Sequence, residues 1–328
     1  MVSEEHGQPL LVPEVTADDP ETSGGLDGRP VGKVLQPWRI GLLSVGFGAL
    51  GAALMLVDDG GSRGSRSYTG TPQFKIWVTI IIAIVASLPT VWRVGTDLLR
   101  RLGLNPRLVF RRHAAPVLAL AVLIVAGTTL AGIYARGSDA APVNYGLVRV
   151  EIVYAISVIA AVPAFLTQWE SYGILDRVDG RDDVYIGRML GIRECLLSAL
   201  ATIGLLVSAG ILAAGAERQA ALADAKYTAP FPAAYVLIWG VAFSSLLLVV
   251  FLPPFRRLIH HANLTIDDIL PILPPRTAGW QSRLQERKDL AELLKVTGSL
   301  RDVIISAVLV AGPLISSLVS LLLPSGSR

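Results

Sequence analysis

Apolar runs recur seven times along the chain, each close to the length of about 20 residues that crosses roughly 30 Å of hydrocarbon at about 1.5 Å per residue. They cover Ile40 to Val57, Phe74 to Trp92, Ala114 to Tyr134, Ile152 to Trp169, Cys195 to Ala216, Phe231 to Leu252 and Val303 to Leu323. The alternating apolar and polar pattern of a barrel strand is absent, and in lipid a spanning segment must satisfy its own backbone N–H and C=O groups. Each run is therefore predicted to be a helix. The fold class that follows is all-α, a polytopic transmembrane helical bundle of about seven spans.

The polar stretches between the runs differ in kind. Residues 1–38 mix acids with Gly, Pro, Ser and Thr and show no apolar periodicity, which predicts a disordered acidic cytoplasmic tail ahead of a membrane domain over residues 39–328. Residues 58–73, "DDGGSRGSRSYTGTPQ", read as a Gly/Ser-rich connection. Leu98 to His113 mixes leucines and arginines around an Asn105-Pro106 turn and reads as an interfacial segment whose arginines face anionic headgroups. It lies between two spans without a folded basic domain, so nucleic acid is not an expected partner.

The longest polar connection, residues 254–300, is predicted to be cytoplasmic and amphipathic. Laid on a helix, Leu258, Ala262, Ile266 and Ile269 share one face, and Arg256, Arg257, His260, Asn263 and Asp267 the other, so the sixth span continues past its apolar end. The proline-rich "PILPPRTAGW" must be extended. Trp280 then opens a short helix through Leu284, Leu290, Leu293 and Leu294, with charges of both signs between them, which Gly298 interrupts. Trp280, Leu284, Leu290 and Leu294 are the candidate docking positions, either on the bundle floor or on a cytosolic protein partner.

Composition agrees with a membrane chain: 52% of the 328 residues are hydrophobic and only 17% charged, against about a quarter in soluble domains, and the mean hydropathy is +0.55. The net charge of +3 is small but unevenly placed. Arginines and lysines crowd the connections after spans two, four and six, including Arg93, Arg100, Arg101, Arg177, Arg188, Arg256 and Arg257. The positive-inside rule then puts the N-terminus in the cytoplasm and the C-terminus outside. No A-x-A-like cleavage site follows the first run, which argues against a removable signal peptide. The single cysteine, Cys195, excludes an intrachain disulfide and reads as a small buried hydrophobe.

Small residues repeat at four-residue spacing as Ser44, Gly48 and Ala52, as Gly204 with Ser208, and as Gly210 with Ala214. Such spacing lets helix backbones approach closely, within one bundle in the first instance and between copies in a homo-oligomer in the second. Pro89, Pro163 and Pro313 lie deep in spans and should bend them. No inverted repeat links the two halves, which weakens a secondary-transporter reading.

Residues able to do chemistry are few. Adjacent His260 and His261 diverge by about 100° on a helix, so they do not grip one ion as an i, i+4 pair would. They read as an interfacial polar face, able to titrate near pH 6.5 as a pH sensor, and not as a metal site. "DRVDGRDDVYIGR", Asp176 to Arg188, lacks the central acid and closing Glu of a calcium loop. Glu151, about a turn inside the outer end of the fourth span, is the one acid near an apolar body and the candidate intramembrane polar site. Catalytic motifs, metal sites and cofactor sites find no foothold, so an enzyme is not expected.

From "FPAAYVLIWGVAFSSLLLVVFLPPFRRL" through "GWQSRLQERKDLAELL" to "GPLISSLVSLLLP", the C-terminal third resembles an uncharacterised group of bacterial multi-pass membrane proteins. Their shared order is a span opening with F-P and ending at Pro, an "LPP", a Trp with a charged helix, and a final span. The resemblance implies a bacterial inner (plasma) membrane protein and brings no activity, ligand or site. Two expectations stand side by side: a non-enzymatic membrane component acting as anchor or sensor for cytosolic partners, and a channel or transporter for an ion or small solute. The sparseness of buried polar residues favours the first.

Overall fold

Helices follow the apolar runs but overrun most of them at their charged ends. The computed structural model describes residues 37–56, 70–113, six positions between 115 and 126, 147–175, 183–223, 233–272, 274, 279–294 and 300–322. The elements are α1 (Pro37–Leu56), α2 (Pro72–Arg101), α3 (residues 106–113), α4 (Leu147–Leu175), α5 (Asp183–Ala223), α6 (Ala233–Ile269), α7 (Trp280–Leu293) and α8 (Leu300–Leu322). Among the described residues there is no strand, and α1, α2, α4, α5 and α6 are each long and apolar enough to cross a membrane. α8 carries a shorter apolar stretch, Ala307–Val319. The protein is thus an all-α, multi-pass membrane bundle. The expected tail up to residue 36, most of the third run and Gly298 lie outside the described residues; six positions of that run, from residue 115 to 126, are helical.

Local chemistry sets the boundaries. Thr71 caps α2, its hydroxyl oxygen accepting the Phe74 N–H at 3.2 Å, and Pro72 follows where a missing N–H costs nothing. α2 does not stop at Trp92, where its apolar run ends. Arg93 and Arg100 both pair with Asp97, at 3.3 and 2.6 Å, and Arg100 and Arg101 sit where the helix dipole favours positive charge. The stretch read from sequence as one interfacial segment is accordingly divided: Leu98 to Arg101 finish α2, Gly103 turns at φ 76°, and Asn105-Pro106 open α3. Likewise the second half of the discarded calcium loop, from Asp183, is the first turn of α5.

Two apolar clusters stack along the bundle. One gathers Phe74, Trp77 and Val78 from early α2, Val150 and Val153 from early α4, and Ala213, Ala216 and Ala220 from late α5. The other gathers Leu98 at the end of α2, Ala164 and Leu175 of late α4, Cys195 to Leu200 of early α5, and Phe251 to Ile266 of late α6. α2 and α4 therefore run parallel to each other and antiparallel to α5. α5 meets α8 through Gly204 on Leu309 and Ser208 on Gly312, which makes those two parallel as well.

Glycines make these contacts close. A Cβ at Gly95 would lie 2.6 Å from the backbone nitrogen of Ala164 and 2.7 Å from the Pro163 Cβ, so α2 rests directly on the backbone of α4. Gly48 and Gly51 of α1 rest on Ala86 and Val85 of α2, and Gly240 of α6 rests on Ser317 of α8. The small-residue spacings thus serve packing within one bundle. Where Pro313 breaks the ladder of α8, the Leu314 N–H donates to the Ser244 hydroxyl of α6 at 3.2 Å, tying the bend to its neighbour.

Gly95→Ala should destabilise the detergent-solubilised protein by about 1–3 kcal/mol through overpacking, read as a lower thermal unfolding midpoint. Gly46→Ala, whose methyl group would meet nothing within 4 Å, should leave the midpoint unchanged. Equal midpoints for the two variants would show that α2 and α4 separate at no cost.

Candidate functional site

The stretch "FRRLIHHANLTIDDIL" is the C-terminal end of α6. That helix has 37 residues, or roughly 55 Å at 1.5 Å per residue, against about 30 Å of hydrocarbon. It passes through Pro253 and Pro254 without ending, and Phe251 stacks on Phe255 across the break with centroids 5.0 Å apart. Beyond it the sides divide as the sequence spacing predicts: Leu258, Ala262 and Ile266 are buried, whereas Arg256, His260, Asn263 and Asp267 are exposed.

The polar side of α6 meets α4. The Arg257 guanidinium lies 4.2 Å from the centre of the Tyr172 ring, a cation–π contact. Around it opens a cavity of about 600 Å³, lined by Tyr172 from α4 and by Leu252, Pro253, Arg256, Arg257, His260 and His261 from α6. The two imidazoles stand 6.1 Å apart at 70°. Among the described lining residues there is no acid, so the cavity gathers two permanent cations and two groups that become cations on protonation. Among its described lining residues no nucleophile stands beside a base, and guanidinium and imidazole groups gathered in this way can attract an anion.

α7 is clamped below this site. Gly279, at φ 82°, turns the chain into α7, a conformation that glycine adopts without strain. Arg287 then reaches back to α6, one nitrogen donating to the Leu270 carbonyl at 2.8 Å and the other pairing with Asp267. An orphan carbonyl at the end of α6 is thereby satisfied. Leu290 packs against the apolar cluster of Leu98 and Phe251 and Leu294 belongs to it, whereas Leu284 is 41% exposed and Trp280 half-buried. The four docking positions therefore divide: Leu290 and Leu294 face the bundle floor, and Leu284 faces outward.

Glu151 is not part of this site. It is half-buried in the second turn of α4, flanked by Val150 and Val153 of the cluster around Phe74 and Trp77, at the opposite end of α4 from Tyr172. Sequence reasoning passed over two polar groups near the C-terminal end of α4. His113 Nε2 and Glu170 Oε1 meet at 2.6 Å across α3 and α4, with side-chain exposures of 15% and 10%. Their separation of 57 residues gave no local signal. Gln168 is 1% exposed, and both its amide atoms lack a hydrogen-bond partner. Its place with Ala164, Ser171 and Leu175 at spacings of four, three and four on one helix face was the available sign.

Arg287→Ala should release α7, removing about 1 kcal/mol from the carbonyl bond and less than about 1 kcal/mol from the half-exposed ion pair. Amide hydrogen exchange across residues 281–293 should then quicken by roughly tenfold, and by less in Asp267→Asn. Unchanged exchange in Arg287→Ala would contradict the clamp.

Comparison with protein-family models, with curated proteins and with solved structures finds no match to this chain, so its geometry alone carries the functional reading.

Proposed function

We propose that this chain is a non-enzymatic component of a bacterial inner membrane that anchors or senses for a cytosolic partner through its floor, the inner end of α6 with α7. The observation that carries this reading is the clamp. Arg287, Leu290 and Leu294 mount α7 on the bundle, so that Leu284 and the exposed charges of α7 form a surface of fixed position.

The orientation belongs to the same proposal: seven spans, N-terminus in the cytoplasm, C-terminus outside. Parallel α2 and α4 require the chain to return between them, where the apolar run Ala114 to Tyr134 lies. The end of the bundle that holds Arg93, Arg100, Arg256 and Arg257 is then the cytoplasmic one, in contact with anionic headgroups.

Passage of an ion or small solute is the rival reading, and half-buried Glu151 is its support. A polar route needs several lining groups. Here the buried hydroxyls of Thr167, Ser171 and Thr265 donate to carbonyls of their own helices. Glu170 is held by His113. Among the described buried side chains, Gln168 and Gln219 keep amide atoms without partners. That supports the component over the conduit.

A photo-crosslinking residue at Leu284 should trap a discrete cytosolic protein in cells, the same residue at Leu294 should trap none, and Arg287→Ala should abolish the Leu284 adduct. Equal labelling at both positions, or adducts with lipid alone, would overturn the reading.

A further inference from the structure

We propose that the cavity between α4 and α6 is a binding site for a phosphate anion, carried by a lipid headgroup or free in solution. The inference is independent of the partner surface on α7.

The charge argument comes first. Two turns of α6 bring Arg256, Arg257, His260 and His261 to one cavity of about 600 Å³, within the usual range of small-ligand sites. Two acids, Asp267 and Asp268, are exposed further along α6; Asp267 is engaged by Arg287, and Asp268 has a partner of its own. The described cavity lining itself sets guanidinium and imidazole groups together without an acid, which favours an anion there. Guanidinium groups suit phosphate in particular, because their N–H donors form a planar fork that matches two of its oxygens. The Tyr172 ring centre stands 4.2 Å from the guanidinium carbon of Arg257, a cation–π contact that holds this side chain at the cavity.

The position argument is separate. Leu252 and Pro253 form the apolar part of the lining and mark the end of the apolar run of α6. On α4, Trp169 is 72% exposed and Tyr172 42% exposed, as aromatic residues are at the headgroup level. The cavity therefore sits where a lipid phosphate resides, its cationic wall facing water and its apolar wall facing chains.

The test uses the full-length protein purified in detergent and mixed with phosphatidylglycerol or phosphatidylcholine of identical chains, with retained lipid read by native mass spectrometry. Phosphatidylglycerol should be retained preferentially. Arg256→Gln combined with Arg257→Gln should lower its retention by at least about tenfold, as loss of charge-assisted bonds implies. The exposed single variant Arg256→Gln, which leaves the Tyr172 contact in place, should lower it severalfold with an unchanged unfolding midpoint. Arg283→Gln combined with Lys288→Gln removes the same charge from α7 and should change nothing. Inorganic phosphate at millimolar concentration separates the two sources. Displacement of the lipid, or binding in its absence, assigns the site to phosphate itself; retention of the lipid against it assigns the site to a lipid-borne phosphate. Equal retention of the two lipids with no phosphate binding, or an equal loss in the α7 control, would overturn the proposal.

Discussion

The close approach of α2 and α4 at Gly95 is the contact on which the rest of the bundle depends. Between helices in lipid there is no hydrophobic driving force, because acyl chains are as apolar as leucine, so association rests on tight van der Waals contact and a few hydrogen bonds. Gly95 on the Pro163–Ala164 backbone gives the tightest of these contacts to backbone atoms. Thr167 reinforces the crossing with its hydroxyl 3.5 Å from the Gly95 carbonyl and 2.9 Å from that of Pro163. Gly48, Gly51, Gly204, Gly240 and Gly312 repeat the device at other crossings.

That packing places the cationic cavity. The Gly95 crossing sets α4 and with it Tyr172 two turns further on, while Gly240 and Ser244 hold α6 against α8. α6 is long enough to leave the hydrocarbon and runs on past Pro253 and Pro254, so the arginines and histidines at its end are carried by the same helix as its buried part. α7 is added to that helix by a single arginine and two leucines. Its remaining surface is mostly polar, with Leu284 and Leu293 exposed among the charges.

Much of this was legible along the chain, and the failures have physical causes. The apolar runs located the helices, and the four-residue spacings of small side chains foretold Gly48, Gly204 and Ser208 as contact points. Helix ends were misjudged because hydropathy stops at Trp92 while hydrogen bonding does not. Arg93, Asp97 and Arg100 pair along α2 and carry it a further turn or more. The cavity was half legible: Arg256 to His261 are consecutive on one polar side, but Tyr172 comes from a helix some 80 residues earlier. The docking positions on α7 could not be divided from sequence, since its leucines lie on several sides and only Leu290 and Leu294 find the bundle. Long-range pairs such as His113 with Glu170 depend on how α3 and α4 meet, which no local pattern encodes.

The most direct test of a component that works through its floor and not by conduction is flux. Liposomes holding the purified protein, assayed for ion and small-solute movement at neutral and mildly acidic pH beside a Glu151→Ala variant, should be as tight as empty ones. Flux that requires the protein and falls in Glu151→Ala would contradict the account and make the bundle a conduit.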